Sequence, residues 1–165
     1  MAISQLDSGV GHRMKNSCAQ EEIDQLISRF FSAFDNRNGA APELAKLVDC
    51  FAERAVIARC AESETELYTV MEFALPRMDL LTQGTLINFR EAETSSVTNI
   101  LGGIATRTSR YSKSGLLNGT RYAGSGTKCF QLVALSCGWR IASLAWVDDA
   151  MPANSLKSKP PLGSA

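Results

Sequence analysis

The feature that most narrows the fold is a change of period at Gly84. Before it, apolar residues recur every three or four positions; after it, apolar and polar residues alternate from Ile87 to Trp146, broken only by turn signals. Helices first and antiparallel strands afterwards imply an α+β fold with the helices on one face of the sheet. The first helix carries the stripe Ile23, Leu26, Ile27, Phe30, Phe31 and Phe34. Ser17 with Gln20 fits a capping box at its start, and Asn38-Gly39 a left-handed stop. Pro42 suits the first turn of a short second helix that turns Leu44, Leu47 and Val48 inward. AVIARC, from Ala55, reads as a strand. Thr69 with Glu72 caps a third helix, VMEFALPRMDLL, which Pro76 is expected to kink, or to break briefly before a new turn, and Gly84 to end.

The strand half divides at its turns. INFREAETSSV and ILGGIATRTSRY are separated by a turn near Thr98-Asn99, Asn118-Gly119 marks a hairpin, and Ser136-Cys137-Gly138 joins TKCFQLVAL to WRIASLAW. Gly124 and Gly126 are read as a bulge. Trp139 and Trp146 stand an odd number of positions apart, so strict alternation sends them to opposite faces. Arg140, Ala142, Leu144 and Trp146 then share one face and Trp139, Ile141, Ser143 and Ala145 the other. Two apolar faces need two coverings, which predicts a homodimer through the sheet. The polar ends, residues 1–17 and 150–165, read as flexible tails around a single domain spanning 18–149.

Composition excludes several partners. Lys plus Arg and Asp plus Glu are 17 each, a formal net charge of zero, which gives no support for a nucleic-acid or anionic-membrane surface. No apolar run approaches a membrane span, and the first residues lack the apolar core of a signal peptide. The five cysteines are odd in number and have no C-x-x-C spacing. They read as buried thiols in a reducing compartment, which places the chain in the cytoplasm. The sequon at Asn118 is then simply a turn.

The order of a long aromatic-rich helix, a short helix and FAERAVI (Phe51 to Ile57), closed by GWRIASL (Gly138 to Leu144) and Trp146, resembles the nuclear transport factor 2-like superfamily, which includes SnoaL-like cyclases and ketosteroid isomerases. LPRMDLLTQGTLINF, IATRTSRYSKSG and CFQLVALSCGWRI resemble a bacterial branch of it. The resemblance covers about Ala19 to Asp149. It implies a curved antiparallel sheet forming a cone around the N-terminal helices, often with an apolar cavity, and no particular reaction. The isomerase base would fall at about Arg59 and the phenolic donor near Phe31, and neither residue type can serve.

The only histidine, His12, lies in the N-terminal tail, which leaves no Ser-His-Asp triad, Cys-His pair or histidine metal site inside the domain. Gly102-Gly103 and Gly124-Ser125-Gly126 lack the strand-turn-helix setting of a phosphate loop, so no cofactor is expected. The polar candidates for a ligand pocket are Glu91 and Glu93 on one strand face, Arg107, Ser109 and Tyr111 on the next strand, and Lys128 and Gln131 on a neighbour, with Tyr122 at a strand end. A solvated cross-strand salt bridge is the preferred reading of Arg107 and a glutamate, because such charges are usually exposed; the other is a polar clamp at the cone mouth that orients a small acid or ketone. Phe31 and Phe34 are core residues that can also line the pocket, and Met71 and Met78 can line an adaptable wall. Two functions stay open. One is binding of a small, largely apolar molecule in a cone-shaped pocket. The other is a cofactor-free SnoaL-like cyclase or isomerase acting on a small ketone or polyketide-like substrate, which needs an ionisable group inside the cone.

Overall fold

In the computed structural model, which describes residues 8–150, helix α1 (Ser8–Ser32) leads into a 3-10 turn (Arg37–Gly39) and a short helix α2 (Leu44–Val48). Strands β1 (Phe51–Cys60) and β2 (Thr65–Tyr68) follow, then helix α3 (Val70–Thr82). Four long strands complete the chain: β3 (Leu86–Leu101), β4 (Ile104–Leu117), β5 (Thr120–Leu135) and β6 (Gly138–Asp148). They form one open six-stranded sheet in the order β2-β1-β6-β5-β4-β3, antiparallel except where β1 runs parallel to β6. The fold is α+β, a curved, unclosed sheet with the N-terminal helices against one face. Residues 1–7 and 151–165, read from the sequence as parts of flexible tails, lie outside the described residues.

The apolar stripe of α1 faces the sheet. Ile23, Leu26 and Phe30 are fully buried, and Phe31 and Phe34 nearly so. Phe30 is the hub, meeting Phe31, Phe34, Phe51 and Phe130 edge to face at 5.3–6.0 Å. Burying one such ring contributes about 2–3 kcal/mol from area alone. Helix α3 adds Phe73, Ala74, Met78 and Leu81 to the same core.

Several local signals act as the sequence implies. Thr69 and Glu72 form the reciprocal capping box of α3. Asn118 and Gly119 both take positive φ, 49° and 77°, as a tight hairpin between twisted strands requires. Gly84, at φ 79°, follows the end of α3. Pro76 sits inside α3 without interrupting it, and the Arg77 side chain donates to the Phe73 carbonyl at 2.8 Å, supplying a bond in the turn that proline disturbs.

Other expectations are corrected. Helix α1 begins at Ser8, so Ser17 is not its cap, and the Gln20 amide donates to Asp24 instead. The left-handed Asn38 and Gly39 belong to the 3-10 turn, because α1 has already ended at Ser32. Strand β3 continues through Thr98-Asn99 to Leu101, and the turn falls at Gly102-Gly103. Strand β2 carries no period strong enough to be read from sequence. Gly124 and Gly126 stay in register with Lys113 and Tyr111, so they form no bulge. A bulge does occur in β6: Gln131 pairs with Ser143 and Leu132 with Ile141, which leaves Ala142 unpaired. That extra residue restores Trp139 and Trp146 to the same face, and both are buried with Ile141 and Leu144 on the helix side. The two-apolar-face argument for a dimer therefore loses its basis. Of the five cysteines only Cys50 is buried; Cys18, Cys60, Cys129 and Cys137 are exposed, against the expectation of buried thiols.

Candidate functional site

The inner face of β4 and β5 carries charge where a core would carry carbon. Arg107, Ser109 and Lys128 are buried on it beside Tyr111 and Phe130. In-register pairing places Ser109 opposite Lys128, Arg107 opposite Phe130 and Tyr111 opposite Gly126. Strand β3 supplies the answering carboxylates. Glu93 stands opposite Tyr111, and Glu91 opposite Lys113. An irregularity between Glu93 and Ser95 then keeps Thr98 facing inward opposite Arg107.

These groups form two centres. In the first, Arg107 grips Glu93 with two hydrogen bonds of 2.9 and 2.6 Å, and also reaches Asp24 at 2.5 Å and Thr98 at 2.9 Å. Ser109 donates to Glu93 at 2.5 Å. The cluster borders a wide cleft of about 790 Å³ between α1 and β3, which Phe31 also lines. Through Asp24 on one side and Glu93 and Thr98 on the other, the guanidinium links α1 to the sheet. Burial works against its charge, yet Glu93 and Asp24 raise it above its ordinary value.

The second centre is a cavity of about 290 Å³ between α3 and the inner face of the sheet. Phe34, Phe73, Phe89 and Trp146 give it apolar walls, and Glu91, Lys113, Lys128, Arg77 and Asp148 project onto them. The Lys128 ammonium lies 2.7 Å from Glu91 Oε1, and 4.1 and 5.3 Å from the ring centres of Tyr111 and Trp146. That oxygen is buried, and among the described residues Lys128 is its close polar partner. Burial pushes Lys128 below lysine's ordinary value, and Glu91 opposes the shift only in part. Asp148 accepts from Tyr111 and from Lys113, each at 2.5 Å. Burial alone would raise its carboxyl, but these two donors outweigh it and hold the group below its usual range. Tyr111, buried and donating to Asp148, is driven well above a phenol's usual value.

Arg77 differs from the rest. Its guanidinium stacks 4.1 Å from the Phe73 ring centre and 5.3 Å from that of Trp146. Its one hydrogen bond goes to the Phe73 carbonyl, and among the described residues it makes no ion pair. Arg59, at the rim, is paired with Glu66 at 3.3 Å.

Comparison with solved structures places this architecture. A protein with a cystatin-like fold from Novosphingobium aromaticivorans, described as nuclear transport factor 2-like, superposes with a TM-score of 0.68 at 16% identity, over 92% of this chain and 95% of its own. A nuclear transport factor 2-like superfamily protein from Salmonella enterica serovar Typhimurium gives 0.67 at 13% identity, over 87% and 99%. The chain has the nuclear transport factor 2-like fold. A hexachlorocyclohexane dehydrochlorinase, LinA type 2, also shares it, with a TM-score of 0.68 at 12% identity over 90% of this chain and 98% of that one. No protein-family model matches the sequence. No curated protein matches it either.

Within the nuclear transport factor 2-like cone, the sequence candidates separate. Glu91, Lys128 and Phe34 line the cavity, and Tyr122 joins them. Arg107, Glu93 and Phe31 line the outer cleft instead, with Glu91 common to both. Arg107 is only 5% exposed and Ser109 is fully buried, so a solvated cross-strand bridge does not describe them. Gln131 is exposed on the outer face and faces neither site. Met78 is packed in the core and Met71 is 43% exposed, so neither forms a cavity wall. Arg77, Lys113 and Asp148 were not legible as a group. Lys113 lies two residues beyond Tyr111, and Asp148 two beyond Trp146, so each shares its neighbour's face. Arg77 lies one helical turn from Phe73.

Proposed function

We propose that the protein binds a small, largely apolar molecule carrying one carboxylate or equivalent anionic group in the cavity between α3 and the sheet. The observation that carries this reading is Arg77, a guanidinium stacked on aromatic rings at a cavity wall with its fork free of any carboxylate. Such a group recognises a planar anion in two-point fashion while the rings hold an apolar body. The cavity's charged walls agree: Arg59, Arg77, Lys113 and Lys128 face Glu91 and Asp148, an excess of positive charge. Wild type should be stabilised by millimolar phenylacetate in a thermal-shift assay and not by phenethylamine. Arg77→Met should lose at least tenfold in affinity. Equal stabilisation of wild type and variant would remove this reading.

A cofactor-free cyclase or isomerase is the second reading. It requires an ionisable side chain inside the cone, and Glu91, Lys113, Lys128 and Asp148 meet that requirement. We also propose a homodimer through the outer face of the sheet, where Val56, Val97, Ile104 and Val147 are exposed. Light scattering at micromolar concentration should return twice the chain mass, and a monomer at every concentration would sink it. Four exposed free thiols favour a reducing compartment such as the cytoplasm. No described helix is long and apolar enough to cross a membrane.

A further inference from the structure

We propose that Lys128 is a carbonyl-capture residue, forming an imine with a 2-oxo acid whose carboxylate is held by Arg77. This rests on the pocket reading above and names its ligand class. Three observations place the chemistry at this amine. Lys128 is 4% exposed, yet it lines the cavity and is ringed by Tyr111, Trp146 and Phe30. Its nearest charged partner is the Glu91 carboxylate, whose buried Oε1 lies 2.7 Å from the ammonium, within reach of its protons. Lys128 and Arg77 line the same cavity of about 290 Å³, each 5.3 Å from the Trp146 ring centre, which offers both to one bound molecule.

Burial favours the neutral amine, the form that attacks a carbonyl. Transfer of the ammonium proton to Glu91 leaves a lone pair on Nζ. That pair forms a bond to the carbonyl carbon, and the carbonyl π electrons move to oxygen, which takes the proton back from Glu91. The resulting protonated carbinolamine loses one of its two remaining nitrogen protons together with its hydroxyl as water, leaving a protonated imine. The balance is one ammonium and one ketone giving one iminium ion and one water, with no change of oxidation state. Lys113 cannot substitute, because its ammonium is engaged by Asp148 at 2.5 Å and that hydrogen bond, against the effect of burial, holds it above lysine's ordinary value.

The test is reductive trapping on the full chain. Phenylpyruvate with sodium cyanoborohydride should add one ligand per chain, mapped by peptide mass to Lys128. Glu91→Gln should slow trapping at least tenfold. Lys128→Arg should give no adduct at any site above background. Trapping absent from wild type, spread evenly over other lysines, or undiminished in Lys128→Arg overturns the proposal. Phenylacetate separates the two readings. Stabilisation without a Lys128 adduct overturns imine formation and leaves the anion pocket standing. The absence of both overturns both.

Discussion

An ammonium buried among rings is tolerated only while a carboxylate answers it. The Lys128–Glu91 pair has side chains 6% and 10% exposed, so removing one member leaves the other charged and dry. Lys128→Met is expected to cost about 3 kcal/mol in urea unfolding, and Lys128→Met with Glu91→Leu appreciably less. A double variant as unstable as the sum of its singles would show that the pair is not coupled. Individual residues were the least legible level of this chain. Strand parity marks Glu91 and Glu93, and likewise Arg107, Ser109 and Tyr111, as same-face sets. It does not tell which face looks inward, so a buried Arg107 and a solvated one read alike. Gln131 is different: three positions from Lys128 on one strand, it must point to the opposite face, so parity alone allows only one of the two in the pocket. Arg77 was hidden because its significance lies in what it lacks, an acidic partner, and only packed coordinates reveal that.

At the scale of elements, local chemistry was readable wherever one residue type carries one geometry. The Thr69–Glu72 box and the Asn118-Gly119 hairpin are of this kind. The β6 bulge is not, because Ala142 has nothing unusual about it; pairing of Gln131 with Ser143 and Leu132 with Ile141 creates it. A shift of one residue reverses every side chain beyond it, which is why both tryptophans face the helices. Gly126 was correctly singled out and wrongly explained. It sits opposite Tyr111, and an added Cβ would lie 2.5 Å from the Tyr111 hydroxyl and against the Val147 carbonyl. Gly126 is therefore space for a ring rather than a bend. Gly126→Ala is expected to destabilise by about 1–3 kcal/mol and to displace the Tyr111–Asp148 hydrogen bond. Chemical denaturation and the tyrosine ultraviolet spectrum check the two effects. A neutral substitution would mean that the ring moves without cost.

The whole molecule joins its helices to a charged inner sheet face, and that choice sets its response to acid. At neutral pH the formal charge is zero, so no global repulsion opposes folding. The folded state depresses several carboxyls by specific donors. Arg37 lowers Asp35, Tyr68 and Arg59 lower Glu66, and the Thr69 backbone and side chain lower Glu72. Arg110 and Ser125 bring Asp149 down to about 2. Asp148, where burial is overcome by Lys113 and Tyr111, belongs with them. A depressed folded value means that the unfolded chain binds protons first as pH falls, so stability is full above the unfolded carboxylate range, about 4, and drains below it. The unfolding midpoint in urea is expected to be flat with respect to these groups from pH 7 to about 5 and then to fall steeply toward pH 2. Asp148→Asn removes one contributor, and it should lower stability at pH 7 and flatten the acid limb. The two curves should therefore converge at the acid end, once wild-type Asp148 is itself protonated. Parallel curves across the whole range would show that the Tyr111–Asp148–Lys113 cluster is not charged in the native state, and the charge pattern assigned to the cavity would fall with it.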